Sequence, residues 1–242
     1  MELFKPVTPP APPHIDLILG DVKELLERLH SLGETSPLFI ADPPWTYANS
    51  PGTSFNPETA GIYKTLTMEE IAETLAAVYQ FASPGARLVV WTTYPQLGDW
   101  MSHAATIKPW RYVTGGTWNK TGRSGGVGFH CLGRCEPVLL YRRGGPLVNK
   151  WDQLANSWTS TPGPHSEKPW EWMAKWITRW TAPGDLVIDL YSGMAPLARA
   201  CYATGRRYMG AEIDPDRWHL ARCKLGQFRC KFDGGFYGSG SD

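Results

Sequence analysis

The chain has 242 residues, of which 42% are hydrophobic and 19% charged, and its formal net charge is +1. It is long enough for one soluble α/β domain with a full core. Near-neutrality restricts any nucleic-acid surface to a local patch. No apolar run approaches the roughly 18 residues of a membrane span. The five cysteines lack tight pairs and no signal peptide is visible, so the expectation is a reduced, intracellular, cytoplasmic protein. Twelve tryptophans are enough to fill a core and leave some for stacking.

Prolines at 6, 9, 10, 12 and 13 make residues 1–13 an extended tail. Ile15–Leu19 reads as a strand and Gly20-Asp21 as a turn. Asp21 either caps the helix Val22–His30 or, at a strand's carboxyl end, touches a ligand. Leu38–Ile40 is a short buried strand that stops on Asp42-Pro43-Pro44-Trp45. Proline extends the residue before it and lacks an N–H, so the chain must leave the sheet there. A carboxylate, a free carbonyl and an aromatic ring then meet at the carboxyl end of a strand, where open α/β sheets keep their sites. That set suits an exocyclic amine on a nucleobase. Asp42 and the Pro43 carbonyl would accept its two hydrogens and free its lone pair, and Trp45 would stack on the base for roughly 1–3 kcal/mol.

Residues 47–66 form a long loop, of a length that is usually functional. Thr67 and Glu70 form a capping box for a helix whose apolar face is Ile71, Leu75 and Val78, and Pro84-Gly85 ends it. Arg87–Thr92 is a strand buried on both faces. A helix over Gln96–Thr106 and strands over Tyr112–Trp118 and Pro137–Tyr141 follow. Between them lies a Gly-rich basic loop; from 117 to 150, Lys120, Arg123, Arg134, Arg142, Arg143 and Lys150 stand against Glu136 alone. Phosphate contact is the reading of that excess. His130, Cys131 and Cys135 lack a second pair nearby, so no metal site is expected.

Residues 146–164 read as loop. Ser166 is the expected cap of a helix from Pro169 to Trp180. A strand then ends in Asp189 and is followed by Leu190-Tyr191-Ser192-Gly193, with a helix opening at Pro196 and free N–H groups at its start. The next strand ends at Glu212, where an acid typically grips ribose hydroxyls. Asp214 caps a last helix to about Phe228, basic over 217–231, and the tail 233–242 is Gly/Ser-rich and flexible.

In this order the pieces resemble the beta-type amino-methyltransferases, and among them the MT-A70-like adenine N6-methyltransferases, over residues 15–228. Asp42-Pro43-Pro44-Trp45 matches the catalytic tetrad, His165-Ser166-Glu167-Lys168-Pro169 the segment before the cofactor strand, Asp189–Gly193 the cofactor loop and Glu212 the ribose acid. The loop departs from the family in carrying Met194, Ala195 and Pro196 where further glycines are frequent. The resemblance implies a single α/β domain of the Rossmann-like S-adenosylmethionine-dependent methyltransferase fold, with a mostly parallel seven-stranded sheet and a circularly permuted motif order. It also implies S-adenosylmethionine bound by Asp21, His165, Ser166, Lys168, Asp189, Tyr191, Ser192, Gly193 and Glu212. Asp42, Pro43, Pro44 and Trp45 become catalytic, and nucleic acid is held by Tyr47, Lys120, Arg123 and Arg134. The implied reaction is methylation of adenine N6 in DNA. RNA adenine, DNA cytosine N4 and a catalytically silent subunit remain alternatives, and homo- or hetero-oligomerisation stays open.

Overall fold

The computed structural model describes residues 12–45, 65–103, 107–121, 133–145, 155–163 and 167–234. Eight strands form one sheet: β1 (Ile15–Leu19), β2 (Ser36–Ala41), β3 (Ala82–Trp91), β4 (Arg111–Lys120), β5 (Cys135–Arg142), β6 (Ser157–Ser160), β7 (Leu186–Asp189) and β8 (Arg207–Glu212). Their spatial order is β1-β8-β7-β2-β3-β5-β4-β6. Every pairing is parallel except those of β5, which runs against both β3 and β4.

The sheet thus has one strand more than the expected seven, and its strands are mixed in direction. The addition is β6, from a segment read as loop. Its four residues bury only Trp158, too little for a period to show in the sequence.

Alternation along the central strands makes two cores. Phe39, Ala41, Leu88, Val90 and Ile188 face α1 (Val22–Leu32), α2 (Met68–Ala77) and α3 (Tyr94–His103). Leu38, Ile40, Val89, Trp91 and Val187 face α4 (Trp170–Trp180), α5 (Pro196–Thr204) and α6 (Pro215–Gly234). A strand covered on both faces must be apolar at every position, and these runs are.

Local chemistry sets the helix ends. The Asp21 and Thr67 side chains accept from backbone at the starts of α1 and α2, and Glu24 and Glu70 complete reciprocal capping boxes. Helix α4 starts after Pro169 with no side-chain cap, and Ser166 lies outside the described residues. Helix α2 ends at Ala77 and a 3-10 turn over Val78–Phe81 follows, ahead of the expected break at Pro84-Gly85; β3 begins at Ala82 and runs through that pair, where the pairing with β2 shifts register. Helix α6 continues past Phe228 to Gly234, with Asp233 receiving the Tyr202 hydroxyl at 2.7 Å, so the tail of the chain is helical at its start.

Candidate active site

From β2 the chain moves outward to β3, and from β7 it moves the opposite way to β8. The order therefore reverses between β2 and β7, and open α/β sheets bind ligands at the carboxyl ends of such a pair. Asp42 follows β2 and Asp189 ends β7. Ile40 is the register partner of Asp189, and its carbonyl accepts from Leu190 N at 3.0 Å. Two segments far apart in sequence are thereby made neighbours.

The Asp42 loop is tightly tied. Pro43 O accepts from Trp45 N and Pro44 O from Leu66 N, both at 2.9 Å. The Trp45 indole donates to Trp91 O at 3.1 Å and meets Trp100 edge-on at 5.5 Å. Trp45 is only 4% exposed. Its ring, expected to stack on a base, is covered by the core in this conformation, and the Pro43 carbonyl already has one donor. Of the eleven described tryptophans, none is among the exposed large hydrophobic residues.

Asp42 is at the end of a row of alternating charges. Lys168 Nζ is 2.7 Å from Asp42 Oδ2 and 3.1 Å from Glu136 Oε2. The other Glu136 oxygen pairs with Lys120. The Lys168 ammonium also sits over the rings of Trp91 and Trp118, at 5.2 and 5.9 Å. Two positive and two negative charges sum to zero, which is how four ions can share a poorly hydrated cleft. Burial pushes the Asp42 carboxyl up, Lys168 opposes this and Glu136 adds to it, with a net rise. Burial would push Glu136 up too, but Lys168 and Lys120 outweigh it and hold the carboxyl below its ordinary value. Burial alone would lower Lys168; Asp42 and Glu136 raise it well above the usual lysine value.

Two of the expected site residues meet in this row. Lys120, expected to reach phosphate, has a side chain 12% exposed and paired with Glu136. Lys168, expected to help close the cofactor end, touches the Asp42 carboxylate. Sequence reasoning missed Glu136 altogether, although it is the single acid among the basic residues of 117–150, and a lone counter-ion there was the available signal.

On the other side of the switch point, Asp189 is buried and accepts from the Tyr208 hydroxyl at 3.1 Å. The same hydroxyl lies 2.8 Å from Ser192 Oγ. Gly210 makes room for them, since a Cβ there would fall 2.3 Å from Tyr208 Oη and 2.5 Å from Ser192 Oγ. Burial pushes Asp189 up to about 7, the Tyr208 hydroxyl opposing and the Asp42 charge adding to it. Glu212 accepts from Gly193 N at 2.8 Å and from Asp214 N at 2.9 Å, and burial raises its carboxyl. Gly193 has φ +52 and open space where a side chain would stand. Ala195 also takes a left-handed φ of 51 just before α5, a conformation for which glycine is better suited. Tyr191 is partly buried against the α1–α3 core, and burial moves its phenol up to about 12. Asp21 lies beyond the end of β1, where Gly20 N donates to Glu212 O at 3.0 Å, and its carboxylate is used as the cap of α1.

Arg134 is exposed, and its carbonyl accepts from Lys120 N. Arg142 and Arg143 brace the far end of the sheet, on Gly145 O and Ala82 O respectively, away from Lys120 and Arg134. In α6, Lys224 pairs with Glu167, and Arg222 and Arg229 lie over Trp218 and Tyr202. Tyr47, Arg123, His165 and Ser166 lie outside the described residues. Among the described residues no group of three or more His, Cys, Asp or Glu could hold a metal ion.

An open α/β sheet with acidic loops on both strands of its switch point is the frame of a nucleotide-cofactor enzyme. The chain belongs to the N6/N4 DNA methylase family, whose profile matches residues 38–222. No curated protein matches it. Among solved structures it is similar to the M1.HpyAVI–SAM complex, at 16% identity over 87% of this chain and 98% of that one, with a TM-score of 0.65. It is similar also to PvuII DNA methyltransferase (cytosine-N4-specific), at 12% identity over 91% and 93%, again with a TM-score of 0.65. At such identities the likeness is one of fold.

Proposed function

We propose that the protein transfers a methyl group from S-adenosylmethionine to the N6 amine of adenine in DNA, as a member of the MT-A70-like branch with its catalytic loop ahead of its cofactor loop. The observation that carries this reading is Asp42. Its carboxylate stands at the end of β2 beside the Asp189–Gly193 loop, with Oδ2 held by Lys168. The second oxygen is then the one to accept a hydrogen from the target amine.

The residues present fit the cofactor. Its ammonium and ribose hydroxyls are donors, and the ends of β7 and β8 offer the acceptors Asp189 and Glu212. The open side of Gly193 lets a ligand approach the backbone. When bound, S-adenosylmethionine supplies an electrophilic methyl on a sulfonium. Everything else falls to the chain. Asp42 draws on one N–H and makes the amine lone pair available. The Pro43 carbonyl, with one lone pair left beside its Trp45 N–H bond, accepts the other. As the N–C bond forms, the methyl–sulfur bond would break with its electron pair left on sulfur as a neutral thioether; the proton then in excess on nitrogen is taken by Asp42 and passed to water. Lys168 favours the ionised form of Asp42, against the burial that raises its carboxyl. Orientation provides most of the acceleration, and no residue forms a covalent intermediate. In a duplex the base must first be flipped out, at a cost of about a few kcal/mol. Adenine is favoured over cytosine by the resemblance of the Asp42-Pro43-Pro44-Trp45 tetrad to the adenine N6 branch. The reaction places the protein inside the cell with the DNA. No helix of the described residues is long and apolar enough to cross a membrane.

The test is methyl transfer from labelled S-adenosylmethionine to duplex DNA, single-stranded DNA and RNA, with nucleoside digestion and mass spectrometry. N6-methyladenine from DNA, lost in Asp42→Ala with cofactor binding kept within a few-fold, supports the proposal. N4-methylcytosine or a product on RNA alone changes the substrate. No product and no cofactor binding leaves a silent subunit.

A further inference from the structure

Glu167 takes no part in the site described so far, yet its carboxylate is held between cations of two helices. Its side chain is 6% exposed. One carboxylate oxygen pairs with Arg199 of α5 and the other lies 3.0 Å from Lys224 of α6. Its carbonyl accepts from Gly163 N at 3.1 Å. The next residue is Lys168, whose ammonium reaches Asp42 and Glu136. Helix α5 is the one that opens directly after the cofactor loop.

A buried carboxylate between two cations from two helices is costly to desolvate, and as a contribution to stability it is replaceable by apolar side chains. What such a group does well is hold one geometry. Lysine has a long flexible stem, so the position of its ammonium depends on how its backbone is anchored. Consecutive side chains of an extended segment point to opposite sides. Here one side chain is fixed to α5 and α6, while the other enters the cleft.

We infer that Glu167, through its pairs with Arg199 and Lys224, is the positioning residue that holds Lys168 against Asp42 and ties that contact to the helix carrying the cofactor loop. The inference rests on the proposed reaction for its kinetic consequence but not for its structural one. Asp42 is faced by Lys168 from the segment before α4, by Glu136 of β5, by Lys120 of β4 through Glu136, and by Asp189 of β7. Among these, only Lys168 is adjacent in sequence to Glu167. Loosening it removes positive charge from Asp42 and leaves the like charge of Glu136 in place. The Asp42 carboxyl then titrates at higher pH.

The experiment follows the Asp42 carboxyl by NMR in protein made with isotope-labelled aspartate, in the wild type, E167Q, R199M, K224M and the double variant E167Q/R199M. Thermal midpoints are recorded alongside. E167Q and R199M are expected to raise the Asp42 midpoint, and the double variant to raise it no further than the larger single change, as two members of one unit do. The maximal rate of methyl transfer is expected to fall about 10- to 100-fold with KM little changed, and its acid limb to move to higher pH. A folded E167Q with an unchanged Asp42 midpoint overturns the inference, even if its thermal midpoint drops. If E167Q does not fold, R199M and K224M decide the matter in the same way. A wild type that never methylates DNA overturns the proposed function, yet leaves the titration to judge Glu167.

Discussion

Lys168 Nζ lies 2.7 Å from Asp42 Oδ2 and shares its remaining donors with Glu136 at 3.1 Å. The carboxylate placed to receive an amine hydrogen is therefore coupled to one charge of each sign. Lys168 favours its ionised form, and Glu136 disfavours it. Removing either partner should move Asp42, in opposite directions.

Lys168→Met removes the cation, raises the Asp42 pKa further and is expected to shift the acid limb of the rate profile to higher pH. Glu136→Gln removes a like charge and gives Lys168 wholly to Asp42, so the limb should move to lower pH. Rates measured from pH 5 to 9 check both. Shifts of the same sign would break the electrostatic account of this row.

Asp189 supplies a stability signature. Its carboxyl holds a proton up to about 7 in the folded state, against an ordinary value of 3.8. Between those values the folded chain binds a proton that the unfolded chain has released, so folding loses stability as pH rises through this window. Asp189→Asn is spared that loss. Urea midpoints of the variant should exceed those of the wild type at pH 8 and converge with them near pH 4. Parallel curves would mean that Asp189 ionises normally.

Gly210→Ala tests the close approach of Ser192 and Tyr208. The added methyl would meet both hydroxyls at less than contact distance. Overpacking of this kind costs about 1–3 kcal/mol. The same shift would disturb the loop that presents Gly193, so weaker S-adenosylmethionine binding by calorimetry should accompany the lower urea midpoint.

Trp45 separates a packing role from a stacking one. As a core residue its replacement by alanine should cost about 3–5 kcal/mol. Trp45→Phe keeps a ring but strips the bond to Trp91 O, for about 1 kcal/mol. If Trp45→Ala is nearly as stable as the wild type while nucleic-acid affinity falls, the ring is a stacking surface and must swing out of the core.

Much of this was readable along the chain because its causes are local. A side-chain acceptor followed three residues later by glutamate makes a capping box whatever surrounds it, so Thr67 with Glu70 was legible, and the cap role of Asp21 was one of its two readings. Asp42-Pro43-Pro44 forces the chain out of a sheet by backbone sterics alone. The apolar runs of β3 and β7 announce strands buried on both faces. The same reasoning went astray at Pro84-Gly85, where β3 absorbs the break as a bulge, and at Ser157–Ser160, where a four-residue edge strand is too short to carry a period.

What lay beyond the sequence is whatever depends on strand pairing. Strand order puts β2 beside β7, and only that brings Asp42 and Asp189 to one crevice. The antiparallel return of β5 delivers Glu136 to Lys168, and with it turns Lys120 from a presumed phosphate contact into part of a neutral ion row. Burial of Trp45 follows from its bond to the Trp91 carbonyl and from the Trp100 ring packed edge-on against it. Residue types and spacing specify a side chain's chemistry. Its partners are set by contacts across the sheet, and those exist only once the chain has folded.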